Sequence, residues 1–163
     1  MFQEVSWIFK LILIFTLGGC ALMEPPKPQS STKSIHEKVF PAEYENVWRA
    51  LQLSVQRYPI RLNDIDRGVL ETDTIKGDRY YVPPHLPPQN TSGKQYNILF
   101  RVLKGKIEGR PATKVVVLKR IERRRDFFST AEEKQSDGLE EATLLYRIGR
   151  ELDIERALAK ARK

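Results

Sequence analysis

The sequence predicts an α+β fold: an antiparallel sheet of about five strands with two helices on one face, in the order strand, helix, four strands, helix. Three patterns predict it. Tyr44, Val47, Leu51, Val55 and Tyr58 recur at three- and four-residue spacing, which puts one apolar stripe on a helix over 42–58. Tyr96, Ile98, Phe100 and Val102 alternate with Asn97, Leu99, Arg101 and Leu103, and Thr113 to Ile121 returns through Val115, Val116, Val117 and Leu118. Runs this apolar are those of central strands. Leu145, Ile148 and Leu152, with Leu144 beside them, close the chain as a second amphipathic helix. Two helices cover one face of such a sheet and leave the other partly wet.

Each element has its local reason. Ile35 to Phe40 forms a short first strand, with Ile35, Glu37 and Val39 on one side and His36, Lys38 and Phe40 on the other. Pro41 opens the first helix, because its missing N–H needs no partner in a first turn, and Pro59 stops it. Trp48 lies at the edge of that helix's stripe and reads as a partly buried core residue. Asp66-Arg67-Gly68 is a turn between two short strands, 60–63 and 69–75. Asp64, Asp66 and Asp73 lack the spacing of a calcium loop and read as turn-capping or solvated acids. Residues 82–93 are a proline-rich loop, and Gly105 to Gly109 is the hairpin connection between the two long strands. Asp126 to Gly138 is polar loop. Asp137 caps the last helix, with Glu140 completing a capping box, and the shift of the stripe to Ile154, Leu158 and Ala161 predicts a bend or a second short helix near Asp153.

The first 20 residues carry an address rather than a fold. Lys10 precedes an apolar run, Leu11 to Leu17, that ends in two glycines, the layout of a secretory signal. Crossing a bilayer takes about 20 apolar residues. This run is too short. Leu17-Gly18-Gly19-Cys20 resembles the lipobox of bacterial lipoproteins, and Cys20 is the only cysteine in the chain. The resemblance implies cleavage before Cys20, diacylation of its thiol and, as a rule, acylation of the new amino group. One acyl chain anchors a protein marginally, whereas two or three hold it on a bilayer. Ala21 rather than Asp after the cysteine implies release to the outer membrane, with the inner membrane as the other address. The expected organisation is a signal peptide over 1–19, a lipid-anchored tether over 20–34 and a periplasmic domain over 35–163. Pro25, Pro26 and Pro28 with Ser30, Ser31 and Ser34 give the tether no face to bury.

The formal charge of +7 suits anionic headgroups, acidic partners or nucleic acid alike. The periplasmic address disfavours nucleic acid. Lys119, Arg120, Arg123, Arg124 and Arg125 form a basic cluster that could meet headgroups or an acidic partner. The catalytic inventory is thin. His36 and His85 lie in no motif with a nucleophile, no phosphate loop or metal-ligand spacing occurs, and Glu132 and Glu133 are adjacent acids in a polar loop. The expectation is a protein that binds rather than catalyses, with no metal or cofactor.

The order of elements on a lipobox and tether resembles the helix-grip domains of BamC-like lipoproteins, a subunit type of the outer-membrane β-barrel assembly machinery. The residues that carry the likeness are Val39-Phe40-Pro41-Ala42-Glu43-Tyr44-Glu45-Asn46-Val47-Trp48-Arg49-Ala50-Leu51, a strand running into a helix with Val-Trp in its second turn, and Asp66-Arg67-Gly68-Val69-Leu70-Glu71-Thr72. It spans residues 35–123 and implies a non-enzymatic accessory role with a protein partner in the envelope. The chain has one such domain where that subunit has two. The other reading of the same layout is a carrier that holds a small ligand or lipid between sheet and helices.

Overall fold

The computed structural model describes residues 35–77, 80, 81, 93–123 and 130–162. They fall in one compact unit, Lys33–Lys163. The lipobox residues Leu17, Gly18, Gly19 and Cys20, the tether to Ser34, most of the proline-rich loop with His85, and Arg124 and Arg125 lie outside the described residues.

The elements are β1 (His36–Phe40), α1 (Tyr44–Ser54), β2 (Ile60–Asp64), β3 (Val69–Thr72), β4 (Ile75–Lys76), β5 (Lys94–Ile107), β6 (Arg110–Arg123), β7 (Glu132–Lys134) and α2 (Leu139–Ala161). The strands make one antiparallel sheet in the order β1-β6-β5-β3-β2, with β4 added beside β5 and β7 beside β6. The expected α+β layout is what the chain adopts, with two short strands, β4 and β7, beyond the five.

The long hairpin β5–β6 is the spine. It pairs without a break from Lys94↔Arg123 to Ile107↔Arg110. The expected loop from Gly105 to Gly109 is therefore strand, except for a two-residue turn. Glu108 (φ 50°) and Gly109 (φ 77°) both take positive φ, which the tight hairpin turn matching sheet twist demands. Inward positions of this hairpin, Ile98, Phe100, Val115 and Val117, are 0% exposed. Facing them are Val47, Leu51 and Ile148 from the two helices, also 0% exposed. The core is the layer between.

Local corrections have physical causes. Pro41 stands outside α1. The chain first makes a tight turn, Ala42 N–H donating to the Phe40 carbonyl over 2.9 Å, and extended Glu43 caps the helix without a side-chain bond. Helix α1 also ends early, at Ser54, yet Val55 and Tyr58 stay buried because a turn, Tyr58 N–H to Val55 O at 2.8 Å, folds them inward. Trp48, at 3% exposure, belongs to the core. The Asp66-Arg67-Gly68 turn joins β2 to β3 as expected, with Asp64 Oδ1 accepting the Arg67 N–H at 2.9 Å. Asp73 Oδ1 accepts the Thr74 N–H at 2.7 Å. These acids cap turns.

Helix α2 departs further from expectation. Gly138, at φ 77°, is its cap residue, and Asp137 Oδ1 accepts the Leu139 N–H at 3.2 Å. Glu140 does not reach back to close a capping box; it turns into the core. No second helix starts at Asp153: the helix runs unbroken from Leu139 to Ala161. The apolar stripe shifts because α2 outruns the layer it covers. Leu152 is 3% exposed, whereas Ile154 and Leu158 are 44% and 54% exposed.

Candidate functional site

Strand geometry decides which surface is available. Successive side chains of a strand alternate faces, so β6 sends Val115, Val117, Lys119 and Ile121 inward and Lys114, Val116, Leu118 and Arg120 outward. The register aligns these outward residues with neighbours across the sheet: Val39 with Lys114 and Leu103, Glu37 with Val116 and Arg101, and Leu118 with Leu99. Neither helix packs on this face. Val39 and Leu103 are 46% and 51% exposed at one end of it. Arg101 and Arg120 are exposed beside the apolar row, and Lys114 pairs with Glu37 over 2.6 Å. The face thus intersperses apolar side chains with exposed arginines and with the acids Glu37 and Glu71.

The inward face holds a polar cluster at the start of α2. Glu140, 1% exposed, accepts hydrogen bonds at Oε1 from the Tyr58 hydroxyl (2.8 Å) and the Tyr96 hydroxyl (3.1 Å). Its Oε2 lies 2.6 Å from Lys119 Nζ, whose side chain is 6% exposed and sits 4.4 Å from the centre of the Tyr96 ring. Burial, then the Glu140 carboxylate, push the Tyr58 hydroxyl well above the ordinary tyrosine range. A phenolate there would be both desolvated and next to a like charge. Two neighbours complete the region. Glu141 is 1% exposed with neither oxygen hydrogen-bonded, and His36 Nε2 is buried without a partner. The His36 ring packs so tightly over Gly138 that a Cβ there would overlap it. Tyr58, Tyr96 and Glu140 are nearly closed to solvent, so the cluster offers a solvent-borne substrate little approach.

The basic cluster expected at the end of β6 does not form a single patch among its described members. Lys119 is a correction: it faces the core and is neutralised by Glu140, leaving it nothing to offer a headgroup or an acidic partner. Arg120 faces the open side, and Arg123, exposed, stands at the strand end opposite Lys94 and Glu132. Sequence parity held the signal, since Lys119 continues the inward series of Val115 and Val117.

Among the described residues, open clefts flank the helices. One, about 450 Å³, lies between α1 and the last turns of α2 and is lined in part by Arg49, Arg156 and Arg162. A smaller one, about 230 Å³, lies between the start of α1 and the tip of the hairpin, beside Tyr44 and Lys104. Sequence reading missed the first because its arginines lie about 110 positions apart at the extreme and meet only through α1–α2 packing. Among the described residues no three His, Cys, Asp or Glu side chains come together as a metal site. No described helix is long and apolar enough to cross a membrane.

No protein-family model matches the chain, and a search of curated proteins finds no match either.

Proposed function

We propose that this chain is an envelope lipoprotein, held on the periplasmic face of the outer membrane by acyl groups on Cys20, whose α+β domain is a binding or scaffolding module for a protein partner. The observation that carries the binding reading is the uncovered sheet face, where Val39 and Leu103 remain about half exposed on either side of Lys114. A large apolar side chain left open on a sheet face loses free energy to water that a partner would recover, roughly 25 cal/mol per Å² covered. The inner face favours this over the carrier reading. A carrier needs room between sheet and helices, and Phe100, Ile98, Leu51 and Ile148 fill that layer at 0% exposure. The anchor rests on the sequence at Leu17-Gly18-Gly19-Cys20, and the accessory role on the likeness to BamC-like lipoproteins.

Two measurements test the proposal separately. Metabolic labelling with a radiolabelled fatty acid should mark the wild-type chain and not Cys20→Ser; an unlabelled wild type removes the anchor. Affinity purification from detergent-solubilised membranes should recover a stoichiometric partner with the wild type and lose it with Val39→Asp combined with Leu103→Asp. Recovery unchanged in that variant removes the sheet face as the contact.

A further inference from the structure

Arg101 stands among aliphatic side chains on the open sheet face. The register puts it in one row with Val69 of β3 and Val116 of β6. Along β5 its neighbours two positions away, Leu99 and Leu103, point to the same side. Val69, Leu99 and Val116 are partly buried there, and Arg101 and Leu103 are exposed. The acids of this face already have partners. Glu37 is held by Lys114 at 2.6 Å. Glu71 accepts the Asn97 amide at Oε1 over 2.9 Å and the Arg61 guanidinium at Oε2. Glu122, at the far end of β6, accepts the Gln95 amide at 3.0 Å. Arg101 takes no ion pair among the described residues.

We propose that Arg101 is the charged anchor of this face, and that the occupant is a protein segment carrying a carboxylate between aliphatic side chains. The inference rests on the binding reading of the sheet face and names the chemistry of the partner. Leu99, Leu103, Val69 and Val116 flank Arg101 on all sides, so a partner that dries these aliphatics dries the guanidinium too. A charge taken out of water without compensation costs more than its aliphatic neighbours return. A carboxylate removes that cost, because two parallel N–H donors of the guanidinium fit its two oxygens. Aliphatic side chains on either side of the acid then keep water from the pair, the setting in which an interface arginine counts most. Charge complementarity selects against other occupants. A second copy would bring the same unpaired arginine, with acids that Lys114 and Arg61 already hold. An anionic bilayer would meet Glu37 and Glu71 on the same face.

The probe is a phage-displayed library of random short peptides, selected on the full chain with Cys20→Ser. Peptides that also bind Val39→Ser combined with Leu103→Ser are discarded, which leaves those that use the sheet face. Both replacements are neutral, so the filter does not itself favour acids. The retained peptides are expected to carry Asp or Glu flanked by aliphatic or aromatic residues. In fluorescence anisotropy each should bind Arg101→Gln at least about tenfold more weakly, and the wild type should lose as much when the peptide's acid becomes its amide. Arg101→Gln should melt as the wild type does, since Arg101 is exposed. Arg150→Gln, exposed on α2, should leave the affinity unchanged. Retained peptides without a carboxylate overturn the proposal, as do acidic ones that bind Arg101→Gln equally well. A selection that yields no face-dependent peptide overturns it too. So does a dimer in sedimentation equilibrium that Leu103→Ser dissociates, or binding to phosphatidylglycerol vesicles that Arg101→Gln abolishes; these give the face to a second copy or to a bilayer. Failure of the anchor is distinct from failure of the binding module. A membrane-purified partner that Val39→Asp with Leu103→Asp loses and Arg101→Gln keeps would leave the face as the contact and remove only its acidic chemistry.

Discussion

Lys119 Nζ lies 2.6 Å from Glu140 Oε2, joining the middle of the sheet to the first turn of α2 through an ion pair whose side chains are 6% and 1% exposed. Two hydroxyls, from Tyr58 and Tyr96, satisfy the carboxylate's other oxygen. The pair fixes where α2 begins. It also explains why Glu140 gives up a local capping role: a charge-assisted contact in the dry core outweighs a bond to a solvated backbone N–H.

Removing both partners of this pair should therefore cost less than the sum of removing each. Glu140→Ala or Lys119→Met alone leaves a buried charge without compensation, and a loss of about 3–5 kcal/mol in urea-unfolding stability is expected for each. Lys119→Met combined with Glu140→Leu should cost less than the two single losses added together, since no lone buried charge remains, although the Tyr58 and Tyr96 hydroxyls lose their acceptor. Additive losses in the double variant would show that the two groups do not act on one another.

Tyr58 supplies an alkaline signature. Tyr58→Phe deletes a hydrogen bond to a charged acceptor and should lower stability by about 1.5–3 kcal/mol near neutral pH. The sign of its pH dependence follows from the raised hydroxyl. Unfolded tyrosine ionises near pH 10, while the folded hydroxyl keeps its proton to higher pH. The stabilisation is thus complete below about pH 10 and is lost as pH rises further. The stability gap between wild type and Tyr58→Phe should hold steady up to about pH 9 and narrow above about pH 10; a gap that stays constant there sinks the assignment.

The β2–β3 turn depends on one glycine. Gly68 sits at φ 64°, accepts the Val102 N–H at its carbonyl over 2.8 Å, and lies so close to the Val102 carbonyl oxygen that a Cβ would overlap backbone. Gly68→Ala should destabilise by about 1–3 kcal/mol, through the left-handed backbone and the clash together. At Gly109, φ 77°, a Cβ meets nothing within 4 Å. Gly109→Asn should be nearly neutral, because Asn tolerates that backbone. Thermal melts of the two variants measure the contrast between the two glycines.

Much of the fold was legible because its signals are local. The stripe from Tyr44 to Tyr58, the alternation from Tyr96 to Val102 and the Asp66-Arg67-Gly68 turn each specify their element within a dozen residues. What stayed hidden is what two distant segments decide jointly. Glu140 reads as a capping residue until Lys119, Tyr58 and Tyr96 are placed around it. Ile154 and Leu158 read as a second helix face until α2 is seen to extend beyond the sheet. Glu141 carried a usable clue, lying three and four residues before Leu144 and Leu145 on the core stripe. The basic cluster failed for a simpler reason. Counting charges along β6 ignores that neighbours on a strand point to opposite faces.

That alternation gives the sharpest comparison, between two adjacent cations. Arg120 is exposed on the open face, and Arg120→Glu should change stability by less than about 0.5 kcal/mol, as surface substitutions do. Lys119→Glu places a second carboxylate against Glu140, with both side chains shut away from water. That variant should fail to fold, or should fold only with one carboxyl protonated, so that its stability rises as pH falls through the range of a raised carboxylate. Circular dichroism melts of both variants across pH measure the contrast directly. If Lys119→Glu melts like the wild type at neutral pH, Lys119 faces solvent, and the inward register of β6 from Val115 to Ile121 is wrong along with it.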